Sequence, residues 1–381
     1  MLTPQTALIQ VGPVWWQFGL PEIVIAAAAP ADVLPALQTI EQAVNQQQLY
    51  AIGFLTYEAA AAFHLTVHPS PPDDLPLLWF GLYRAPHILD TLPPPPAPFA
   101  PLPWQSTIDA AAYHTAIQAI KAEIAQGNSY QVNFTFPLRT AFARDGYAFF
   151  YHLAQAQQAS YTAYLDLGRW IICSASPELF FALDGERLWS KPMKGTMARG
   201  RTPAQDEQTR LALYHSEKDR AENVMIVDMI RNDMGRVCQT GSVQVPHLFA
   251  TEPYPTLWQM TSTVTGHSAA PFSDILAAMF PCASITGAPK VRTMEIINQL
   301  EARPRSLYTG AIGYLAPGRQ AQFNVAIRTA LVDQQTQLAR YHIGSGIVWD
   351  SDPQAEWQEC QLKAKILGSG KEESKSFLAT N

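Results

Sequence analysis

Charged residues are scarce in this chain of 381 residues, since Asp, Glu, Lys and Arg together make up 15% of it, against about 25% in ordinary soluble domains. Acids outnumber bases by 32 to 26, which gives a formal net charge of −6. The chain therefore lacks the strongly basic surface that nucleic-acid binding requires. Because 48% of the residues are hydrophobic, the shortage of charge indicates a large buried core and excludes disorder.

Long apolar runs and paired cysteines are also missing. The most apolar early stretch, residues 23–29, ends at Pro30, far short of the roughly 20 residues of a membrane helix. Residues 1–5 carry no basic or apolar signal-peptide pattern, so we expect a cytoplasmic protein with no membrane contact. No Cys-x-x-Cys pair occurs among the four cysteines, which predicts reduced thiols and neither disulfides nor a zinc site. They are Cys173, Cys238, Cys282 and Cys360.

Proline is plentiful and marks a connector. Residues 92–103 are rich in proline, which favours an extended, semi-rigid crossing. We predict an N-terminal α/β segment over 1–91 that packs onto the catalytic core, a connector over 92–104, a catalytic domain over 105–368 and a flexible tail over 369–381.

The pattern of predicted elements favours an α+β fold. Helical spacing covers 113–125, 205–234 and 289–300, whereas residues 308–315, 321–331 and 339–347 read as consecutive strands with no helix between them. Such strands are joined as hairpins, which predicts layered antiparallel or mixed β-sheets flanked by helices.

Two acidic clusters stand out because charge is rare elsewhere. On helices, Asp219 and Glu222 share one face, and so do Glu356, Glu359 and Lys363. Two pairs of carboxylates suit a hard, oxygen-liganded ion such as Mg²⁺. Considered by itself, the first cluster is more often a solvated helix face with Lys218 and Arg220, and the second is more often an exposed ion pair between Glu359 and Lys363.

Three further features are candidates for chemistry. Lys194 lies in a tight turn where partial burial would lower its pKa and make its amine a nucleophile, although a surface lysine is the commoner case. Arg328 lies in an apolar predicted strand and either pairs with a buried acid or binds a carboxylate. The glycines around Ser345 form either an anion-binding loop or a plain turn.

Taken together, eleven segments in one order resemble the chorismate-utilising enzymes. They are GFLTYEA (53–59), GNSYQVNFT (127–135), SPELF (176–180), KPMKGT (191–196), DRAENVMIVD (219–228), RND (231–233), SITGAPK (284–290), YTGAIG (308–313), AIRT (326–329), GSG (344–346) and EWQECQLK (356–363). This resemblance implies that Glu222 and Glu359 hold Mg²⁺, with Asp219 and Glu356 reaching it through water. It also implies a set of substrate-binding residues, namely Gly195, Thr196, Tyr308, Arg328, Gly344, Ser345, Gly346 and Lys363.

Lys194 distinguishes branches of this family. Anthranilate synthases carry alanine at the matching position, and aminodeoxychorismate synthases carry lysine. The resemblance therefore implies that Lys194 attacks C2 of chorismate while Glu178, with a pKa raised by burial, acts as the general acid for loss of the 4-hydroxyl. Ammonia then adds at C4 and expels the lysine from C2 as the double bonds shift back. The product is 4-amino-4-deoxychorismate, which is used for the synthesis of 4-aminobenzoate and folate.

The sequence departs from the anthranilate synthases at one more position and implies a partner. Gln259 stands where those enzymes have a histidine, so proton chemistry assigned to that histidine does not carry over. No cysteine has the Gly-x-Cys-x-Gly setting of a glutaminase nucleophile, so we expect a glutamine amidotransferase subunit to supply ammonia. The alternatives are an anthranilate synthase large subunit, a catalytically silent regulatory subunit, and an isochorismate or salicylate synthase that uses water at C2.

Overall fold

Strands dominate the structure, a computed structural model that describes residues 6–254 and 257–368. In chain order the strands are β1 (Ala7–Val11), β2 (Val14–Phe18), β3 (Ile23–Ala27), β4 (Tyr50–Leu55), β5 (Leu78–Tyr83), β6 (His87–Leu89), β7 (Gln105–Ser106), β8 (Gln131–Ala141), β9 (Tyr161–Asp166), β10 (Trp170–Ser176), β11 (Leu179–Asp184), β12 (Arg187–Lys191), β13 (Met193–Ala198), β14 (Gln244–Pro253), β15 (Leu257–His267), β16 (Gly287–Ala288), β17 (Ala311–Ala316), β18 (Gln320–Val325), β19 (Thr329–Asp333) and β20 (Leu338–Ile347). The α-helices are α1 (Pro30–Gln47), α2 (Ala110–Ala125), α3 (Gly146–Gln157), α4 (Pro203–His215), α5 (Glu217–Gly235), α6 (Phe272–Met279), α7 (Lys290–Leu300) and α8 (Pro353–Ala364).

The strands form two antiparallel sheets. The first sheet has the order β16-β8-β20-β19-β10-β9-β1-β2-β6, with β7 beside β8. The second has the order β13-β15-β12-β11-β18-β17-β4-β5-β3, with β14 beside β15. The predicted α+β class with layered sheets and flanking helices is confirmed, and the strand pairs of both sheets are antiparallel.

Apolar residues on both faces of the strands create a four-layer molecule. In β4, Ile52 and Phe54 face the apolar layer between the sheets, whereas Ala51 and Leu55 face the layer that α1, α5 and α6 cover. Helices α2, α3, α7 and α8 cover the outer face of the first sheet. Side chains alternate between faces with a period of two, so a strand buried on both faces is apolar throughout.

The N-terminal segment contributes strands to both sheets. Strands β1, β2 and β6 continue the first sheet, and β3, β4 and β5 continue the second. The proline-rich connector is tied down, because Leu92 and Trp104 are buried and the Tyr147 hydroxyl donates to the Pro93 carbonyl at 2.6 Å. The domain boundaries stay a prediction, and the predicted tail over 369–381 lies outside the described residues.

Two predicted elements are each divided in the structure. The helix expected over 205–234 is two helices, α4 and α5, which meet at Ser216, whose side chain caps α5 by accepting from the Asp219 amide at 3.3 Å. The strand expected over 321–331 is wrong, because β18 belongs to the second sheet and β19 to the first. Arg328 therefore lies in the crossing between sheets, with a positive φ of 52°, and not in a strand. The end of β18 and all of β19 are buried, so no exposed polar stretch marks the crossing in the sequence.

No helix in the described part of the chain is long and apolar enough to cross a membrane.

Candidate active site

The candidate site lies where the β8–β20 end of the first sheet meets strand β13 at the edge of the second. In the β8–β20 pair, Gly346 lies opposite Asn133 and Gly344 opposite Thr135. A Cβ atom added to Gly346 would lie 3.2 Å from Lys194 Nζ and 2.5 Å from the side-chain nitrogen of Gln131. Glycine at position 346 therefore leaves room for the Lys194 amine above the sheet.

Lys194 has the electrostatic surroundings of a nucleophile. Burial lowers the pKa of Lys194, and the charge of Lys363 acts in the same direction. The carboxylates of Glu222 and Glu178 oppose this shift without cancelling it. A lowered pKa increases the fraction of neutral amine, the form that can attack carbon.

Glu178 faces this amine from the turn between β10 and β11. Its side chain is 3% exposed, and burial raises its pKa to about 7, although Ser284, the Lys194 charge and the Met193 amide act to lower it. Its Oε1 atom has no hydrogen-bond partner among the described residues. The carboxyl is thus partly protonated near neutral pH and has a free oxygen for a substrate.

The four predicted metal ligands lie on two helices, Asp219 and Glu222 on α5 and Glu356 and Glu359 on α8. Burial raises the pKa of Glu222, and the nearby charges of Asp219 and Glu356 add to this shift while Lys194 and Lys218 oppose it. Gly195 allows α5 to approach, because it has a φ of +91° and an added Cβ would lie 2.8 Å from Asp219 Cβ.

Two of these acids already have partners. Glu359 pairs with Lys363 at 2.6 Å; burial acts to raise the pKa of Glu359, but the pairing outweighs it and lowers that pKa. Glu356 accepts a hydrogen bond from Ser351 Oγ at 2.7 Å. Within residues 6–254 and 257–368, no three His, Cys, Asp or Glu side chains are arranged as a metal-holding group. The four predicted ligands offer only oxygen atoms, which Mg²⁺ prefers. To bind the ion, Glu359 has to break its ion pair with Lys363 or to bind Lys363 and the ion together.

The predicted substrate-binding residues form a chain of contacts. Lys363 Nζ donates to the Gly344 carbonyl at 2.8 Å, and Arg328 Nη1 donates to the Lys363 carbonyl at 2.6 Å. Tyr308 stacks on His342 with ring centroids 5.1 Å apart, and burial raises the pKa of its hydroxyl.

The Ser345 side chain points to the other side of the first sheet. Its hydroxyl lies 2.7 Å from the hydroxyl of Tyr113 on α2, and side chains of successive strand residues face opposite sides. Only the backbone of Ser345 is therefore available to a ligand beside Gly344 and Gly346.

Gln259, at the position where anthranilate synthases have a histidine, forms hydrogen bonds with the two residues that follow Lys194. Its side-chain nitrogen donates to the Gly195 carbonyl at 2.8 Å, and its Oε1 accepts from Thr196 Oγ1 at 2.9 Å. Gln259 thereby fixes the two residues that follow Lys194.

Comparison with known proteins shows the family. The family model for chorismate binding enzymes matches residues 20–368. The chain belongs to the chorismate-binding enzyme family. The residues of the candidate site all lie inside the matched range.

Curated relatives of this chorismate-binding enzyme include two bacterial proteins named aminodeoxychorismate synthase component 1. That of Escherichia coli (strain K12) is 40% identical over 259 residues, which is 67% of this chain and 56% of the relative. That of Bacillus subtilis (strain 168) is 39% identical over 269 residues, 69% of this chain and 57% of the relative. The alignments thus span little more than half the length of these relatives.

Solved structures support the same fold. Anthranilate synthase component I from Streptococcus pneumoniae TIGR4 aligns over 96% of this chain and 90% of its own, with a TM-score of 0.78 and 24% identity. The menaquinone-specific isochorismate synthase MenF from Escherichia coli aligns over 96% of this chain and 88% of its own, with a TM-score of 0.77 and 20% identity.

Sequence reasoning missed one residue at the site of this chorismate-binding enzyme. Gln131 is 0% exposed, lies beside Gly346, and has no hydrogen-bond partner for either side-chain amide atom among the described residues. A signal was available, because Gln131, Asn133 and Thr135 put polar groups on one face of a strand that is otherwise apolar.

Proposed function

We propose that this chorismate-binding enzyme is component I of an aminodeoxychorismate synthase, which converts chorismate and ammonia into 4-amino-4-deoxychorismate for 4-aminobenzoate and folate synthesis. The observation that carries the proposal is that the Lys194 amine lies beside Gly346, where the charges of Glu178 and Glu222 act on its pKa. The names of the bacterial relatives support it, although this chain spans about half their length.

In the first step the neutral Lys194 amine forms a bond to C2 of chorismate. The ring double bonds shift and the C4–O bond breaks. Glu178 gives its proton to the departing oxygen, which leaves as water. The raised pKa of Glu178 and the lowered pKa of Lys194 shift these groups toward the protonation states that the step needs, a protonated carboxyl and a neutral amine.

In the second step ammonia forms a bond to C4. The double bonds shift back, the C2–N bond breaks and Lys194 leaves as a neutral amine. The new C4 ammonium returns one proton to the Glu178 carboxylate, which restores the enzyme. The net reaction exchanges the 4-hydroxyl of chorismate for an amino group and releases water.

Binding of the dianionic substrate requires local positive charge in an acidic protein. We propose that Arg328, Tyr308, Lys363 and the backbone amides of Gly344–Gly346 bind the carboxylates and the enolpyruvyl group, and that Gly195 and Thr196 line the ring. Glu222 and Glu359 would hold Mg²⁺, with Asp219 and Glu356 behind water. When bound, this ion would supply charge for the ring carboxylate.

Ammonia would come from a glutamine amidotransferase subunit. Three of the four cysteines are buried, and burial raises the pKa of the thiols of Cys173, Cys238, Cys282 and Cys360. A raised thiol pKa is unsuited to nucleophilic hydrolysis of glutamine. The designation component 1 in the relatives' names fits a protein that works with a second subunit.

A product assay tests the proposed function. Purified protein is incubated with chorismate, MgCl₂ and ammonium chloride, and the product is identified by mass spectrometry and chromatography. We expect 4-amino-4-deoxychorismate, and no amination when glutamine is the only nitrogen source. Anthranilate or isochorismate as the sole product would refute the assignment, and efficient use of glutamine by the chain would refute the partner.

The pH dependence of this reaction tests Glu178. We expect kcat/KM for chorismate, measured at constant free ammonia, to fall as pH rises through about 7, because the raised pKa of Glu178 means that its proton is lost in that range. Glu178→Gln should reduce kcat by roughly 10²- to 10⁴-fold and remove this alkaline decline. Exposed Glu186 provides the control, and Glu186→Gln should keep the native profile. If kcat/KM of Glu178→Gln still falls at alkaline pH, the decline is caused by another group.

A further inference from the structure

A group of arginines lies on the same face of the first sheet as the candidate site, at the far end of the β8–β20 pair. Arg139 on β8 is the direct cross-strand partner of Arg340 on β20. Because side chains alternate, Arg340 shares its face with Gly344 and Gly346. The charge of Arg303 acts on Arg139 as well. We call Arg139, Arg303 and Arg340 the cationic patch.

Of these three arginines, Arg340 alone has an acidic partner among the residues that the structure describes. Its guanidinium donates to both oxygens of Asp74, at 2.6 and 2.9 Å, and lies 5.6 Å from the Trp170 ring centroid. Arg139 makes no hydrogen bond or ion pair to any residue that the structure describes, and its Nε atom is buried without a partner. Arg303 is exposed and has no acidic partner in the described ranges.

This arrangement carries a cost in free energy. Like charges directly opposite one another in a sheet destabilise their pairing. A buried donor without an acceptor adds a further cost. Burial, together with the charges of Arg303 and Arg340, lowers the pKa of Arg139, and burial and the charges of Arg340, Arg305 and Arg139 lower the pKa of His342 to about 3. The three arginines of the patch with the single acid Asp74 leave an excess of positive charge here, in a chain whose net charge is −6.

We propose that the cationic patch binds a compact oxyanion, either a phosphate group or a small carboxylate. Arg139 offers N–H donors that have no acceptor among the described residues, and an oxyanion would bind these together with the N–H groups of Arg340 that do not bind Asp74. The cavity on this face is lined by Arg340 and His342 together with Tyr308 and Thr329, and Arg139 and Arg303 are not among its lining residues.

Lys194 and Gly346 lie away from the patch, although Tyr308, a proposed substrate-binding residue, borders the cavity beside Arg340. Arg340 lies six residues before Gly346 on β20, which corresponds to ~20 Å along an extended strand. Strands β8 and β20 carry both Arg139 and Arg340 and the site residues Gln131 and Gly346. An anion that bridges the two arginines would stabilise the pairing of the same two strands that present the proposed substrate-binding backbone.

Anion binding can be measured without the reaction. The full chain is titrated with sodium phosphate or sodium succinate at constant ionic strength, with sodium chloride as the balance, and the unfolding temperature and the heat of binding are recorded. We expect saturable stabilisation by one of the two anions. Tighter binding of phosphate assigns a phosphate site, and tighter binding of succinate assigns a carboxylate site.

Three variants locate the binding. Arg139→Gln and Arg303→Gln should each weaken it roughly tenfold or more, and in chloride Arg139→Gln should unfold no lower than the native chain because a repulsion is removed. The control is Arg187→Gln, which replaces an exposed arginine on β12 of the second sheet. This variant should bind the anion like the native chain. If Arg139→Gln folds poorly, Arg303→Gln still tests the proposal, because Arg303 is exposed. The absence of saturable binding, or equal binding by the native chain and the folded patch variants, would overturn the proposal.

Discussion

Replacement of Lys194 by alanine is expected to lower the rate of chorismate amination by a factor on the order of 10²–10⁴. The variant lacks the amine that the first step requires, so no bond between enzyme and C2 can form. Quenched mixtures of native protein with chorismate but without ammonia should contain a protein adduct detectable by intact-mass spectrometry. Lys194→Ala should contain none, and its product should be anthranilate if any amination persists.

Lys191 supplies the matched control for this experiment. It precedes Lys194 by three residues and pairs with Glu252 at 2.6 Å, and both side chains are partly exposed. Lys191→Ala should therefore keep both the adduct and the native rate within about threefold, since exposed ion pairs contribute little. A native adduct that maps to Lys191, or full amination by Lys194→Ala, would contradict covalent catalysis by Lys194.

The identity of Lys194 as a candidate could be predicted from the sequence, but its environment could not. Spacing along the chain places Asp219 beside Glu222 and Glu356 beside Glu359, because helical neighbours lie three residues apart. Nothing in that spacing brings α5, α8 and β13 together. Their approach depends on antiparallel pairing between distant strands, such as β8 with β20, and on Gly195, which allows contact with Asp219.

The errors have equally specific causes. The crossing at Arg328 was hidden because the end of β18 and the whole of β19 are buried, so no exposed polar stretch marks the break between them. Gln131 was overlooked because an alternating strand is ordinarily interpreted as having one solvated face. Here that polar face is buried and turned toward the candidate site, where its side chain has no partner among the described residues. Buried polar groups of this kind become visible only when burial is known.

Removal of Arg305 is expected to cause the largest loss of stability among these predictions, about 3–5 kcal/mol in the free energy of unfolding. Arg305 is 2% exposed and binds both carboxylate oxygens of Glu301, at 2.7 and 2.9 Å. Arg305→Met leaves Glu301 charged in the core, where the other donors to its carboxylate among the described residues are the backbone and hydroxyl of Thr135. The loss is measured as a shift in the midpoint of urea unfolding, with Arg231→Met as the control, because the exposed pair between Arg231 and Asp228 should contribute no more than about 0.5 kcal/mol.

The double variant Arg305→Met/Glu301→Leu separates the ion pair from the other contacts of Arg305. Removal of both charges should recover part of the lost stability, since an unpaired buried charge is the costliest element. Recovery should stay incomplete, because Arg305 also donates to the carbonyls of Ile285, at 3.0 Å, and Asn133, at 2.8 Å. Those carbonyls belong to the loop next to Ser284 and to the strand that carries Gln131, so the double variant should also lose amination activity while Arg231→Met retains it. Full recovery of both stability and activity would show that Arg305 serves only to neutralise Glu301.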